Sequence, residues 1–174
     1  MTTFLSHQKF IKQYLNESKK IIQKIPLDDL NKIINILFEA WQEEATIFVM
    51  GNGGSASTAS HFAADLTKYT VMGASYEQKK KRFKVICLTD NAVLNSAWAN
   101  DFGFDAIFSE QMDPWIKKND IVFAFSVHGG SQKSAHGGSQ ISTTGKWSEN
   151  IPKAFELAKS RGAKLLGLAG DTGG

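Results

Sequence analysis

His61 and Asp65 sit four residues apart in SASTASHFAADL (55–66), a stretch that reads as a helix. Residues i and i+4 share a helix face, so this imidazole and this carboxylate can converge on one point. Such a pair can carry a proton to and from a substrate carbon. It can also supply two ligands to a zinc ion, which wants at least three from the protein. Taken alone, His61 suits a structural histidine, its ring satisfied by its neighbours, better than a ligand. Just upstream, GNGGS (51–55) separates an apolar run from this helix. Glycines let backbone approach a ligand closely, and consecutive amides at a helix start cradle an anion.

The same chemistry recurs along the chain. Each of four apolar runs ends in small or polar residues: GNGGS, TDN (89–91), SVHGGS (126–131) and GDTGG (170–174). Ser55, Ser126 and Ser131 add hydroxyl donors, and phosphate is the anion such loops most often meet. One loop of this kind is an ordinary tight connection. Two glycine-serine loops on one rim favour an anion site. Gly51, Gly53 and Ala56 also satisfy the dinucleotide pattern G-x-G-x-x-A. That pattern wants an acidic residue about 20 positions on, and Asp90 is much too distant. No G-x-x-x-x-G-K-[ST] is present, so no nucleotide cofactor is expected.

These loops need elements to hold them. Ile11, Tyr14, Leu15, Ile22 and Ile25 follow helical spacing over residues 5–25, and Pro26 ends that helix. Asp28 and Asp29 suit the first turn of a second helix, whose stripe runs Leu27, Leu30, Ile34, Leu37, Trp41. This helical hairpin (1–44) is apolar enough to pack on something, and another subunit is the expectation. The remainder, 45–174, alternates strands with helices. TIFVM (46–50), KVICLT (84–89), DIVFAFS (120–126) and AKLLGLAG (163–170) read as strands with continuous apolar interiors. Such strands indicate a parallel sheet covered on both faces, an α/β three-layer α-β-α sandwich. Long polar loops are predicted over 70–83 and 127–148, and HGGSQ occurs twice in the second, at 128–132 and 136–140. The chain stops at DTGG, where a parallel sheet normally continues into a covering helix. Either a partner covers that strand or the chain is a piece of a longer protein, and the second is the expectation.

Composition narrows the classes. At 174 residues the chain suits one domain, and 42% hydrophobic content is that of a globular protein. A single cysteine, Cys87, rules out a disulfide framework and suits a reducing compartment. The start lacks a signal-peptide core, and no apolar run approaches the 18 or so residues of a membrane helix. A cytoplasmic location without a membrane partner is expected. The basic residues concentrate only at KKKR (79–82) with a net charge of +3. Without aromatic or arginine-rich surroundings this reads as a solvated loop, not a nucleic-acid patch.

The set GNGGSA…HFAADL, LTDN…AWANDFGF, FSVHGGS and GLAGDTGG resembles the sugar isomerase (SIS) domain. It is most similar to bacterial phosphoheptose (sedoheptulose 7-phosphate) isomerases, covers nearly the whole chain and keeps their order. The resemblance implies a flavodoxin-like SIS fold with an N-terminal helical hairpin. It implies a homotetramer, or a homodimer, with active sites at subunit interfaces. By the resemblance, Asn52, Gly53, Gly54 and Ser55 contact a sugar phosphate. Ser126, His128 and Ser131 match the family's serine-rich phosphate loop. Asp90 and Asn91 match a polar pair that holds substrate hydroxyls. His61 and Asp65 match positions where some members bind zinc, Asp65 being the catalytic carboxylate. Three departures stand out: aspartate at 65 where the better-known members have glutamate, a phosphate loop with His128 where serine is usual and lengthened by the doubled HGGSQ, and, most serious, the absence of the family's C-terminal catalytic helix. The family's last strand and helix, with a glutamine and a histidine that complete the catalytic and metal site, would fall beyond Gly174. The activity implied is ketose–aldose isomerisation of sedoheptulose 7-phosphate for surface-polysaccharide heptose. The alternative is a non-catalytic SIS module that binds a sugar phosphate or a protein.

Overall fold

The computed structural model describes residues 2–71, 81–127, 129 and 148–170. Most of the predicted loop 127–148, with His128, Ser131 and all of both HGGSQ copies except Gly129, lies outside the described residues. So do Asp171 to Gly174. Two compact units are present, 1–36 and 37–174. The first holds helix α1 (Thr2–Gln23) and the start of α2 (Leu27–Glu43). Pro26 lies between the two helices, and its carbonyl accepts the amides of Asp29 and Leu30. Phe10, Ile11, Tyr14, Leu15, Ile21 and Ile22 of α1 are exposed.

The α/β unit begins inside α2, where Leu37 and Ala40 are buried. Its elements follow as β1 (Thr46–Gly51), α3 (Gly54–Lys68), β2 (Lys84–Cys87), α4 (Ala92–Phe102), α5 (Ile107–Met112), β3 (Ile121–Ser126), α6 (Asn150–Ser160) and β4 (Lys164–Ala169). All four strands pair in parallel, in the order β2-β1-β3-β4. Side chains alternate across a strand, and the two central strands supply both cores. Phe48, Met50, Val122 and Ala124 face Ile107, Phe108 and Met112 of α5 and Ile151, Ala154 and Ala158 of α6. On the other face Phe123 stacks on Phe125 at 4.7 Å, and Phe62 of α3 meets both rings edge-on at 5.3 Å. The aromatic trio seats α3 on the sheet. The layers are helix, parallel sheet, helix, as the sequence predicts.

The flanking strands depart from expectation. KVICLT reads as six strand residues, yet β2 stops at Cys87 and Ile86 is exposed. AKLLGLAG reads as fully covered, yet only Leu166 of β4 is buried, with Leu165 and Leu168 open. Both strands lie at sheet edges, where each has one neighbour, so apolar composition alone does not produce burial. At the amino ends of the strands, buried Asp120 accepts the amides of Thr46 (2.8 Å) and Lys117 (2.7 Å). Its carbonyl accepts the Lys164 amide at 2.8 Å. That anchor sets the register, so the carboxyl ends of the strands emerge together at the opposite rim. Among the described residues no helix is long and apolar enough to cross a membrane.

Candidate active site

The rim begins with a close approach. A side chain at Gly51 would place Cβ 2.5 Å from the Ser55 carbonyl oxygen, so only glycine lets β1 pass directly under the start of α3. Gly53 then has φ 53° and ψ −122°, a conformation reserved for glycine. The turn closes on itself, with the Ser55 amide donating to the Asn52 carbonyl and the Ala56 amide to that of Gly53, each at 3.0 Å. Gly53 and Gly54 are exposed, with open space where a side chain would stand.

Register brings the third loop beside the first. Gly51 pairs with Phe125, so Asn52 and Ser126 leave the sheet as neighbours. The Ser126 hydroxyl oxygen accepts the Gly129 amide at 3.0 Å, which leaves its proton to donate elsewhere. The described starts of the two glycine-serine loops therefore leave the same rim of the sheet. Asn52 uses its side chain on a residue that the sequence did not single out. Its carboxamide pairs with that of fully buried Asn150, at the start of α6.

The loop after β2 is held by two further side chains that sequence reasoning missed. Asn95 donates to the carbonyls of Leu88 (3.1 Å), Thr89 (3.3 Å) and Asn91 (3.0 Å). Gln111 donates to the Asn95 side-chain oxygen (2.9 Å) and to the Leu88 carbonyl (3.2 Å). Asn91 caps α4, its side-chain oxygen accepting the Leu94 amide at 2.9 Å. Thus Asp90 is presented on a braced turn and is itself exposed. At the end of β2, burial pushes the Cys87 thiol above its ordinary pKa, partly offset by the Thr89 hydroxyl 2.9 Å away. Polar residues inside an amphipathic helix signal a partner but not which one, so Asn95, Gln111 and Asn150 are legible only as candidates.

His61 Nδ1 lies 3.2 Å from Asp65 Oδ2 on the outer face of α3. The histidine side chain is 80% exposed and the aspartate 45%, so the pair lies at the surface and is not a core contact. His61 and Asp90 line one cleft of about 550 Å³ together with Ala56, Ser57, Ser60 and Thr89. Ser126 belongs to a second groove of about 520 Å³ between α6 and β4. The site residues thus fall into two groups, His61 with Asp90 in the first cleft and Ser126 in the second, and Asp65 lines neither. Among the described residues no third His, Cys, Asp or Glu joins His61 and Asp65 to complete a metal site. Two donors do not make up a zinc site.

A parallel sheet with a glycine-serine turn at its carboxyl rim and an exposed imidazole–carboxylate pair on the following helix defines an α/β protein of the class that binds ligands beyond its strand ends. The model of the SIS domain matches residues 13–136, and the chain belongs to that family. It is 31% identical over 171 residues to the phosphoheptose isomerase of Helicobacter pylori strain P12, a match covering 98% of this chain and 73% of that protein. It is 38% identical over 164 residues to the lincomycin biosynthesis protein LmbN of Streptomyces lincolnensis, covering 94% of this chain and 54% of that one. The chain therefore spans about half the length of the second relative. Among solved structures, a phosphoheptose isomerase from Francisella tularensis superposes with a TM-score of 0.76 at 22% identity, covering 100% of this chain and 78% of that chain. Phosphoheptose isomerase GmhA from Neisseria gonorrhoeae gives 0.74 at 24%, over 96% and 77%. These superpositions show the fold.

Proposed function

We propose that the protein is a ketose–aldose isomerase that converts sedoheptulose 7-phosphate to an aldoheptose 7-phosphate, for surface-polysaccharide heptose in the cytoplasm. The observation that carries this is the exposed His61–Asp65 pair, 3.2 Å apart on the helix that starts at the GNGGS turn. Kinship with phosphoheptose isomerases supports the same substrate class. The phosphate would sit at the rim formed by Gly53, Gly54, Ser55 and Ser126, and the reacting carbons would lie toward α3. The Asp65 carboxylate takes a proton from C1 as the C2 carbonyl oxygen gains one, which gives an enediol. Return of a proton to C2, with loss of the C1 hydroxyl proton, gives the aldehyde. His61, whose Nδ1 lies 3.2 Å from Asp65 Oδ2, stands beside the carboxylate and faces the substrate oxygens, in a role worth about 10² to 10⁴ in rate for such proton transfers. Asp90 faces the same cleft and is suited to the sugar hydroxyls.

Self-association as a homotetramer or homodimer belongs to the same proposal. It is supported by the exposed row Phe10, Ile11, Tyr14, Leu15, Ile21 and Ile22 on α1, since large apolar surface usually marks an interface. Sedimentation velocity should show an assembly larger than 19.1 kDa, and a monomer at micromolar concentration would refute it.

The test of activity is to incubate the full-length protein with sedoheptulose 7-phosphate and follow aldose signals by NMR. Turnover that falls at least a hundredfold in Asp65→Ala supports the proposal. Binding without turnover, unchanged by Asp65→Ala, would instead establish the non-catalytic module.

A further inference from the structure

Asn150 is the most deeply buried polar residue of the rim, at 0% exposure. It opens α6, and its carboxamide forms a reciprocal pair with that of Asn52, each nitrogen donating to the other's oxygen at 2.9 Å. Buried polar groups are normally satisfied by backbone; here two side chains 98 residues apart satisfy one another. Asn52 lies between Gly51, which is pressed against the Ser55 carbonyl, and Gly53, whose φ is 53°. The middle of the GNGGS turn thus has a single long-range tether among the described residues, and that tether ends on α6. Ser126 lines a groove with Ile151, the residue after Asn150. One amide pair therefore links the first turn to the helix that flanks the third.

From this we infer that Asn150 is a positioning residue for the sugar phosphate, acting through Asn52 to hold the GNGGS turn at a fixed distance from α6. The inference rests on the sugar-phosphate reading of the rim. The arrangement is specific to two carboxamides. Alanine at 150 removes both bonds, and aspartate keeps the volume but sets two oxygens against each other at one of them.

The experiment compares the unaltered full-length protein with Asn52→Ala, Asn150→Ala, Asn150→Asp and the double alanine variant. It reads the Kd for sedoheptulose 7-phosphate by calorimetry, KM and kcat by NMR, and Tm. Expected are a roughly tenfold rise in Kd and KM for each single variant, with kcat within about twofold. The double variant should be no worse than the weaker single one. If Asn150→Ala is insoluble, Asn150→Asp carries the comparison. A lowered Tm with unchanged Kd and KM would make the pair merely structural and overturn the inference. Fully additive losses in the double variant would overturn it too, because Asn150 would not then act through Asn52. Failure of the unaltered protein to bind the sugar phosphate overturns the functional reading and this inference together. Normal binding by both the unaltered protein and the Asn150 variants overturns this inference alone.

Discussion

Gly51→Ala should injure the protein far more than one methyl group suggests. The new Cβ would stand 2.5 Å from the Ser55 carbonyl oxygen, 2.6 Å from its carbon and 3.0 Å from the Ala56 nitrogen. Ordinary contact begins at 3.4 Å, so the overlap is about 0.9 Å against atoms that repel steeply. All three belong to the backbone of the first turn of α3, so no side chain can rotate away. Either α3 lifts from the sheet or β1 retracts. Overpacking of this kind costs about 1 to 3 kcal/mol, or roughly 2 to 12 °C in Tm for a domain of this size. Because α3 carries His61 and Asp65, a shift approaching 1 Å should also reduce turnover by about a hundredfold. The control is Gly54→Ala, where a Cβ meets nothing within 4 Å and the residue is already helical. That change should leave Tm unchanged or raise it slightly, as alanine is favoured in helices by up to about 1 kcal/mol. Thermal unfolding followed by circular dichroism, with turnover measured in parallel, reads both. Equal Tm values for the two variants would show that the strand-to-helix approach is slack, and the geometric account of the turn would fail.

Other outcomes follow from the same contacts. Phe62→Ala removes the ring that meets both Phe123 and Phe125, and should cost roughly 2 to 4 kcal/mol in urea unfolding. Asn91→Ala deletes the cap on the Leu94 amide and should cost about 0.5 to 2 kcal/mol, with a smaller loss for Asn91→Ser. Burial raises the Cys87 thiol pKa in the fold, so the folded state holds that proton more tightly than the unfolded chain. Its contribution is complete below the ordinary thiol value of about 8.5 and is lost as pH rises through the folded value. Stability should therefore decline more steeply between pH 8 and 10 in the unaltered protein than in Cys87→Ala. Parallel slopes in denaturant titrations would contradict this.

The order and type of the elements were legible because they rest on local chemistry. IFVM and IVFAF are apolar at every position, as suits strands covered on both faces, and they became the two central strands. The helix after GNGGS was legible from His61, Phe62 and Asp65 at helical spacing, and that spacing alone makes the 3.2 Å imidazole–carboxylate pair geometrically possible. The edges were not legible. Leu165 and Leu168 have the composition of core residues and are exposed, because burial depends on neighbours that hydropathy does not count.

Sequence by itself determined the parallel α/β class, the glycine-serine turn after β1 and the imidazole–carboxylate pair on α3. Each depends on residues adjacent along the chain or one helical turn apart. Tertiary structure alone decided that Asn52 and Ser126 leave the sheet side by side, through the β1–β3 register. It alone decided that Asp90 faces His61 across a cleft, and that Asn150 rather than solvent satisfies Asn52. Those three relations join residues brought together by strand order, and strand order is set by how whole faces bury one another.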